Sequence, residues 1–138
     1  MANNISDYLE TALLNHVFRN IAYTSPTVVY AGLVSSVGSD AQLEAGTLTN
    51  EITTYTGTRK AITFGAPSQV SDKATIKNSA ALTFDNMPLI TVKYVIVCDS
   101  ATKGAGNILY WCPLTVQKAC NLGDTFQVAI DNLILDLA

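Results

Sequence analysis

The N-terminal segment carries the only run of apolar positions in the chain with the spacing of a helix. Leu9, Leu13 and Val17 recur every four residues, and Phe18 widens the apolar stripe that they form. Polar residues occupy most of the other positions, and the acidic side chains near the start are favoured there by the helix dipole. We therefore predict an amphipathic helix over about residues 4–21.

This predicted helix is too short to be stable alone. Isolated helices of about 12–15 residues are marginal in water, so the apolar stripe has to pack against another surface. A short tether at 22–26 keeps the helix near the segment that follows. We therefore expect the stripe to dock on the body of the same chain, with the polar face directed towards a partner. The expected docking residues are Leu9, Leu13, Val17 and Phe18.

Beyond residue 26 the pattern changes to short apolar and β-branched stretches separated by turns. These stretches either alternate between apolar and polar positions or are apolar throughout, as strands of a partly or fully buried sheet are. The fold is therefore predicted to be mainly β: an antiparallel β-sandwich or barrel with one N-terminal helix, in a single domain over 1–138 with its β body at about 27–137. The predicted strands cover residues 27–36, 60–64, 74–84, 90–98, 107–112, 114–119 and 125–137.

Three of these strands contain residues that predict irregular geometry. Gly32 indicates a bulge or a close backbone contact in the first strand. Asn78 and Ser79 are expected to break the third strand into two. In the last strand the apolar side changes face near Asp131 and Asn132, which indicates a bulge or a crossing between two sheets.

The longest stretch without a sustained pattern runs from Val37 to Thr58 and is predicted to be a functional or mobile loop. Glu51, Tyr55 and Arg59 lie in or beside it and bring together an acid, a phenol and a base. No nucleophile accompanies them, so catalysis is a weaker interpretation than contact with a partner. We therefore expect these three side chains at the surface.

The composition narrows the classes of function. Charged residues make up 14% of the chain and hydrophobic residues 49%, whereas about 25% charged residues is typical of soluble domains. Either partners cover part of the surface, or neutral Thr, Asn and Ser side chains coat it. The net charge of −3 argues against nucleic-acid binding. No apolar run reaches the length of a membrane span and no basic signal-peptide region is present, so we expect folding in a cytoplasm and no membrane partner.

Candidate chemistry is sparse. Cys98, Cys112 and Cys120 are odd in number and form no C-x-x-C pair, so buried free thiols are expected rather than disulfides. A zinc site would need a further ligand, and His16 is distant in sequence, so no metal or other cofactor is expected. The motifs of serine hydrolases, phosphate-binding loops, EF-hands and zinc proteases are absent. The chain is therefore not expected to be an enzyme.

Several sequence blocks, in order, cover nearly the whole chain and carry a family resemblance. They are MANNISDYLETALLNHVFRN, AYTSPTVVYAGLVSS, RKAITFGAPS, NSAALTF, VIVCDSATKGAGNILYWCPL and LGDTFQVAIDNLILDL. With these blocks the sequence resembles a family of small virion structural proteins of tailed bacteriophages. Members of that family resemble both capsid decoration (cement) proteins and small tail-fibre or baseplate proteins. This chain departs from the family at its cysteines and at 37–58, where the Gly-rich turn is longer, so loop contacts do not transfer.

The resemblance implies a structural protein of the virion that is made in the host cytoplasm. A long trimerising fibre shaft would need repeats or heptads, and the sequence has neither, which favours capsid decoration. We therefore expect a cement protein that binds and stabilises the major capsid protein lattice as a homo-oligomer, most simply a trimer. A small tail-fibre or baseplate-associated protein is the alternative. A carbohydrate-binding module with Tyr94, Tyr110 and Trp111 as its platform is a third class, although aromatic residues in strands more often belong to a core.

Overall fold

The computed structural model describes residues 4–137 and shows a two-layered, mainly antiparallel β structure with a helix at its N-terminal end. The β-sandwich prediction is therefore confirmed. The elements, in chain order, are β1 Asn4–Ile5, α1 Asp7–Phe18, β2 Val29–Ser35, α2 Asp40–Glu44, β3 Lys60–Ile62, β4 Ser68–Val70, β5 Lys73–Lys77, β6 Leu82–Phe84, β7 Ile90–Cys98, β8 Ile108–Cys120, β9 Phe126–Val128 and β10 Ile134–Leu137.

The first layer is a five-stranded sheet in the order β1-β8-β7-β2-β3. Its centre is β7, which pairs with β2 on one side and β8 on the other. The second layer consists of a three-stranded sheet, β10-β5-β4, and the two-stranded pair β6-β9. All strand pairs are antiparallel.

The main core lies between the two layers. It is formed by apolar residues of both layers and includes Val95 and Val97 of β7 together with Leu82 and Phe84 of β6. The alternate residues of β7 point to the opposite face, where Tyr94 and its neighbours form a smaller core. That second core contains Val34, Leu43, Tyr94, Ile96, Cys98, Ile108 and Trp111. The central sheet is therefore buried on both faces, as the continuous apolar runs in its strands predict.

Two predicted strands are each divided in the way that the sequence indicated. The 74–84 stretch forms β5 and β6, and the 125–137 stretch forms β9 and β10 in different sheets. The fully buried Asn78 connects the two places at which these strands are interrupted. Its side chain donates to the carbonyls of Ala80 and Ala129 and accepts from the Leu133 N–H at 2.9 Å. Asp131 has a φ of 66°, a left-handed conformation that redirects the chain at this crossing.

Two other predictions about the strands were wrong. The stretches 107–112 and 114–119 form the single strand β8, although Pro113 lies within it. The pairing with β7 is irregular at this point, since Tyr94 pairs with Pro113 but Val92 pairs with Lys118, and proline is tolerated at such bulges. The short edge strand β4 was not predicted because its three residues are all exposed and show no alternation.

The predicted loop at 37–58 contains a second helix, α2, which the sequence analysis missed. Ser39 caps it by accepting from the Gln42 N–H, and the Gln42 side chain accepts from the Ser39 N–H in return. This capping box stabilises a helix too short to show an apolar period. Leu43, the buried residue of α2, packs in the second core, so the segment is anchored rather than loose.

Helix α1 is shorter than predicted and is fixed at its N-terminal end. Ser6 is the N-cap: its hydroxyl accepts from the Leu9 N–H and donates to the carbonyl of Ile108 in β8. The helix ends at Phe18, because Asn20 takes a left-handed φ of 54° and turns the chain back. No helix among residues 4–137 is long and apolar enough to cross a membrane.

Candidate functional site

The three residues expected to contact a partner from the 37–58 region lie inside the protein. Glu51 is 8% exposed, Tyr55 3% and Arg59 1%. The expectation that they form a surface contact is therefore wrong. The sequence suggested exposure because two of the three are charged, and it could not show that they pair with each other.

Glu51 reaches the interior because its segment extends the edge of the central sheet. The Ile52 N–H donates to the Leu33 carbonyl at 2.8 Å, and Glu51 forms a β-bridge with Val34. This register places the Glu51 side chain over Gly32, where a Cβ would lie only 2.9 Å from Glu51 Oε2. The close contact that the sequence predicted at Gly32 is confirmed, and its cause is the carboxylate packed above it.

Glu51 and Arg59 form a bidentate ion pair with both side chains fully buried. Arg59 Nε donates to Glu51 Oε2 and Nη2 donates to Oε1, each at 2.7 Å. Burial alone would lower the pKa of Arg59, but the hydrogen bond and charge of Glu51 outweigh it, so the Arg59 pKa is raised and the guanidinium stays charged. Such a pair is retained in a low-dielectric interior only when its remaining donors and acceptors are also satisfied.

The hairpin loop at 99–107 satisfies those remaining groups. Arg59 Nη1 donates to the carbonyls of Ser100 and Ala105, each at 2.8 Å, and the Gly104 N–H donates to Glu51 Oε1 at 2.7 Å. The ion pair therefore joins the 51–59 segment to the loop between β7 and β8. Because both side chains are fully buried and bond to each other and to backbone groups of the loop, the arrangement is a structural clamp between the two segments.

Tyr55 belongs to the same region but contributes its ring rather than its hydroxyl. The ring meets Phe84 edge-on with centroids 5.1 Å apart, and Lys103 Nζ lies 3.8 Å from the Tyr55 ring centroid. The Tyr55 hydroxyl is buried without a hydrogen-bond partner. Burial is also the main reason that the Tyr55 pKa is raised, so this phenol is neutral and unsuited to acid–base chemistry near neutral pH.

The expected docking face of α1 divides into two parts. Leu9 and Leu13 are half-buried, and Leu13 lines an apolar cavity of about 290 Å³ together with side chains of β5, β8 and β10. Val17 is 63% exposed and Phe18 is 77% exposed. The prediction that all four residues dock on the chain's own body is therefore wrong for Val17 and Phe18. The helix lies against β8, and every residue from 16 to 22 is exposed.

One group of acidic side chains among the described residues has a spacing that suits a cation. Oxygens of Asp7, Glu10 and Glu44 lie within 4.8 Å of one another. Glu44 already accepts a hydrogen bond from Trp111 Nε1 at 2.7 Å, and Asp7 and Glu10 are exposed in the first turn of α1, where the helix dipole favours negative charge. Solvent and the helix therefore account for these carboxylates without an ion.

The aromatic residues considered as a carbohydrate platform belong mainly to the interior. Tyr94 is fully buried and Trp111 is 5% exposed, with their rings edge-on at 6.1 Å. Tyr110 is half-buried, and its hydroxyl donates to the carbonyl of Asp136. These side chains pack the second core and the sandwich and do not present a flat exposed surface for a sugar ring.

The cysteines are free and buried, as expected from the sequence. Burial raises the pKa of Cys98 and of Cys112 to about 12. Burial also raises the pKa of Cys120. Thiols that stay protonated near neutral pH are poor nucleophiles, so these side chains act as apolar packing groups.

A comparison with models of protein families shows which family the chain belongs to. Residues 4–136 match the model of the family described as podophage GP4 fiber I protein gp80. No curated protein shows a significant similarity to the chain. The match covers nearly all of the chain and confirms the resemblance to small tailed-phage virion proteins. The chain therefore belongs to the podophage GP4 fiber I protein gp80 family, a family of structural proteins of the phage particle.

Proposed function

We propose that this protein is a subunit of a fibre on the tailed-phage particle. The observation that carries the proposal is the extent of the family match, which runs from residue 4 to residue 136. The matched region takes in both layers of the sandwich and α1, so the whole fold, rather than one attached segment, is what the fibre family shares.

The absence of a repeat was the reason to favour capsid decoration over a fibre, but not every fibre subunit needs a repeat. A compact subunit can contribute to a fibre as one building block or as its attachment point, without forming a long shaft itself. The exposed end of α1 and the rigid β-sandwich suit such a block. Capsid decoration, in which the protein would bind the major capsid protein lattice, remains the second candidate.

The proposed role is structural and not enzymatic. The charged residues that first suggested chemistry, Glu51 and Arg59, direct their polar atoms at each other and at backbone groups. A general acid or base needs access to a substrate proton, and this buried pair has none. The proposal therefore assigns these residues to the stability of a virion component.

The test is to locate the protein on purified particles. Virions that carry an epitope-tagged copy are labelled with gold-conjugated antibody and imaged by negative stain, beside tail-free heads from the same host. The expected result is label on fibres at the tail and none on tail-free heads. Label distributed over the head surface, with the protein present in proportion to the major capsid protein, would establish decoration instead.

A biochemical arm separates failure of the tag from failure of the proposal. Untagged particles are dissociated into head and tail fractions, and the protein is quantified in each by mass spectrometry. Fibre subunits are expected in the tail fraction in far smaller number than the major capsid protein. Recovery with the head fraction would contradict the fibre proposal, whatever the antibody images show.

A further inference from the structure

An apolar groove runs between one edge of each layer of the sandwich, beside α1. It consists of two adjoining cavities of about 290 and 450 Å³, which share Leu13, Asp136 and Leu137 as lining residues. Most of the other lining residues are apolar, among them Ile5 of β1 and Leu135 of β10. The larger cavity has the size of a ligand site, for which about 300–1,000 Å³ is typical. We call the two cavities together the edge groove.

Both strands that border the edge groove are terminal strands of their sheets. Strand β1 ends the five-stranded sheet and β10 ends the three-stranded sheet, and within residues 4–137 neither is paired with a further strand on its outer side. The Tyr110 hydroxyl in β8 donates to the Asp136 carbonyl in β10 at 3.1 Å, so β10 lies beside the first sheet without joining it. An extended segment in the groove can therefore reach the backbone of β10.

The other terminal strands of the two sheets are less suited to accept a new strand. Strand β3 begins with Lys60, and lysine is a residue that protects exposed sheet edges. Strand β4 is short and fully exposed, and it contains the polar Ser68 and Gln69. Strand β10 has the sequence ILDL, and its Leu137 is 51% exposed. An apolar edge of this kind favours the addition of another strand, so β10 is the edge at which we expect it.

The charge around the edge groove limits which segment can occupy it. Glu10 is exposed on the α1 side of the groove, and Asp7 lies one helical turn before it. Among the described residues that line the two cavities, none is a lysine or an arginine. A second copy of the chain would bring carboxylates towards carboxylates, and each copy carries a net charge of −3. A segment with a basic residue would instead complement the groove.

We propose that the edge groove binds an extended, basic segment of another protein, which adds as a strand to the outer edge of β10. The backbone of the segment bonds to β10, and its alternate apolar side chains fill the groove beside Leu13 and Leu137. A lysine or arginine at one end of the segment faces Glu10. This inference goes beyond the fibre proposal and does not rest on it, because it concerns a surface of the isolated chain.

The first experiment titrates the isotope-labelled full chain with synthetic peptides and follows its backbone amides by NMR. The peptides have about six residues, a common strand length, alternate apolar residues with threonine and end in lysines. The expected result is binding that shifts the amide signals of β10 and Leu13 and slows amide exchange in β10. The control is the same peptides with N-methylated backbones, which cannot donate backbone hydrogen bonds and should bind at least tenfold more weakly.

Several results of this titration would overturn the proposal. They are the failure of all the peptides to bind, equal binding of the methylated peptides, and signal shifts confined to β3 or β4. Occupation of β10 by a second copy of the chain would overturn it as well, and would appear as shifts in β10 on dilution without peptide.

The second experiment changes the groove and measures peptide affinity. Leu137→Asp should weaken binding at least tenfold, since Leu137 lines both cavities, and its circular dichroism spectrum should match the wild type because the side chain is already half exposed. Leu122→Asp is the matched control, since Leu122 is 81% exposed and lies outside the groove, and it should leave the affinity unchanged. Equal affinities of these two variants would overturn the proposal.

A charge exchange tests the basic character of the partner. Glu10→Lys should weaken binding of the lysine peptides and strengthen binding of otherwise identical peptides that end in glutamates. A folding defect would weaken both, so the reversal identifies Glu10 as the group that faces the basic residue. An unchanged preference for the lysine peptides in Glu10→Lys, or weaker binding of both kinds of peptide, would overturn the assignment.

Discussion

In the 51–59 segment and in helix α1, burial is the opposite of what the amino-acid types suggest. The first contains a glutamate and an arginine that are fully buried in their side chains, and the second contains a valine and a phenylalanine that lie largely in water. In the first, every strong donor and acceptor of the pair finds a partner at hydrogen-bond distance. In the second, every residue of the last helical turn from 16 onwards is exposed to solvent. Burial therefore follows from where the backbone leads and whether polar groups are satisfied there, and only secondarily from hydropathy.

The largest effect is expected from removing one partner of the buried pair. Arg59→Ala should lower the free energy of unfolding by about 3–5 kcal/mol, because Glu51 would remain as an uncompensated buried charge. Urea denaturation followed by tryptophan fluorescence measures the loss. Arg19→Ala is the control, since Arg19 is exposed and bonds only to Asn15 in its own helix, and it should cost less than about 0.5 kcal/mol. Equal small losses in the two variants would contradict the clamp.

The buried thiols predict a loss of stability at alkaline pH. Free cysteine has a pKa near 9, whereas burial raises that of Cys98 to about 12. Below pH 9 the folded and unfolded chains both bind the proton, but between pH 9 and 12 only the folded chain retains it. Stability should therefore fall as pH rises through this range, by up to about 1.4 kcal/mol per pH unit for each such thiol.

The measurement is the free energy of unfolding as a function of pH for the wild type and Cys98→Ala. The variant lacks one of the raised thiols, so its stability should decline less steeply above pH 9, even though its stability at neutral pH is lower by a packing loss of roughly 1–2 kcal/mol. Parallel pH profiles would show that Cys98 does not remain protonated in the folded state.

The two halves of α1 should respond differently to the same substitution. Leu13→Asp places a charge in the apolar cavity between the helix and the sandwich and should cost about 2–3 kcal/mol. Val17→Asp should change the stability of the monomer by less than about 0.5 kcal/mol, because Val17 is already largely in water. Thermal unfolding of both variants at low protein concentration makes the comparison. Comparable losses would mean that the whole helix face docks on the chain after all.

The smallest effect, and one of opposite sign, is expected at Tyr55. Tyr55→Phe removes a buried hydroxyl that has no hydrogen-bond partner and keeps the ring contact with Phe84. The variant should be more stable by up to about 1 kcal/mol, since the desolvation cost of the hydroxyl disappears. Tyr94→Phe provides the contrast: its hydroxyl donates to Asp40, so the same change should destabilise the protein. A loss of stability in Tyr55→Phe would indicate that its hydroxyl is hydrogen-bonded in solution.

Local signals in the sequence were sufficient for much of the fold. The alternating run at 90–98 coincides with β7, and the shift of apolar face near Asp131 correctly indicated that the last segment crosses between sheets. The close contact at Gly32 was also predicted, because a glycine within an apolar strand indicates that another group packs closely above it. These features depend on neighbouring residues, which a single sequence displays directly.

The candidate site depended on contacts between distant residues, and a single sequence does not display those. The partners of Arg59 include Ser100 and Ala105, more than forty positions away, and both contribute backbone carbonyls that no side-chain pattern reveals. The exposure of Phe18 likewise depends on how far along α1 the body of the protein extends, which the helical period does not determine. The sequence blocks indicated a structural protein of a tailed-phage particle, but they did not distinguish a fibre protein from a capsid decoration protein.

The attachment of α1 has a mechanical consequence. Its start is held by the two-residue strand β1 and by Ser6, both bonded to β8, and Leu13 packs beside β5, β8 and β10, whereas residues 16–22 at its end are all exposed. With 12 residues and a rise of about 1.5 Å each, the helix is roughly 18 Å long and is capped at its start by Ser6. Amide hydrogen exchange should therefore be slowest near Leu9 and become faster towards Phe18. A lateral load on the exposed end would be borne by the packing of Leu9 and Leu13 and by the few hydrogen bonds of β1 and Ser6, so this attachment should yield before the sandwich itself does.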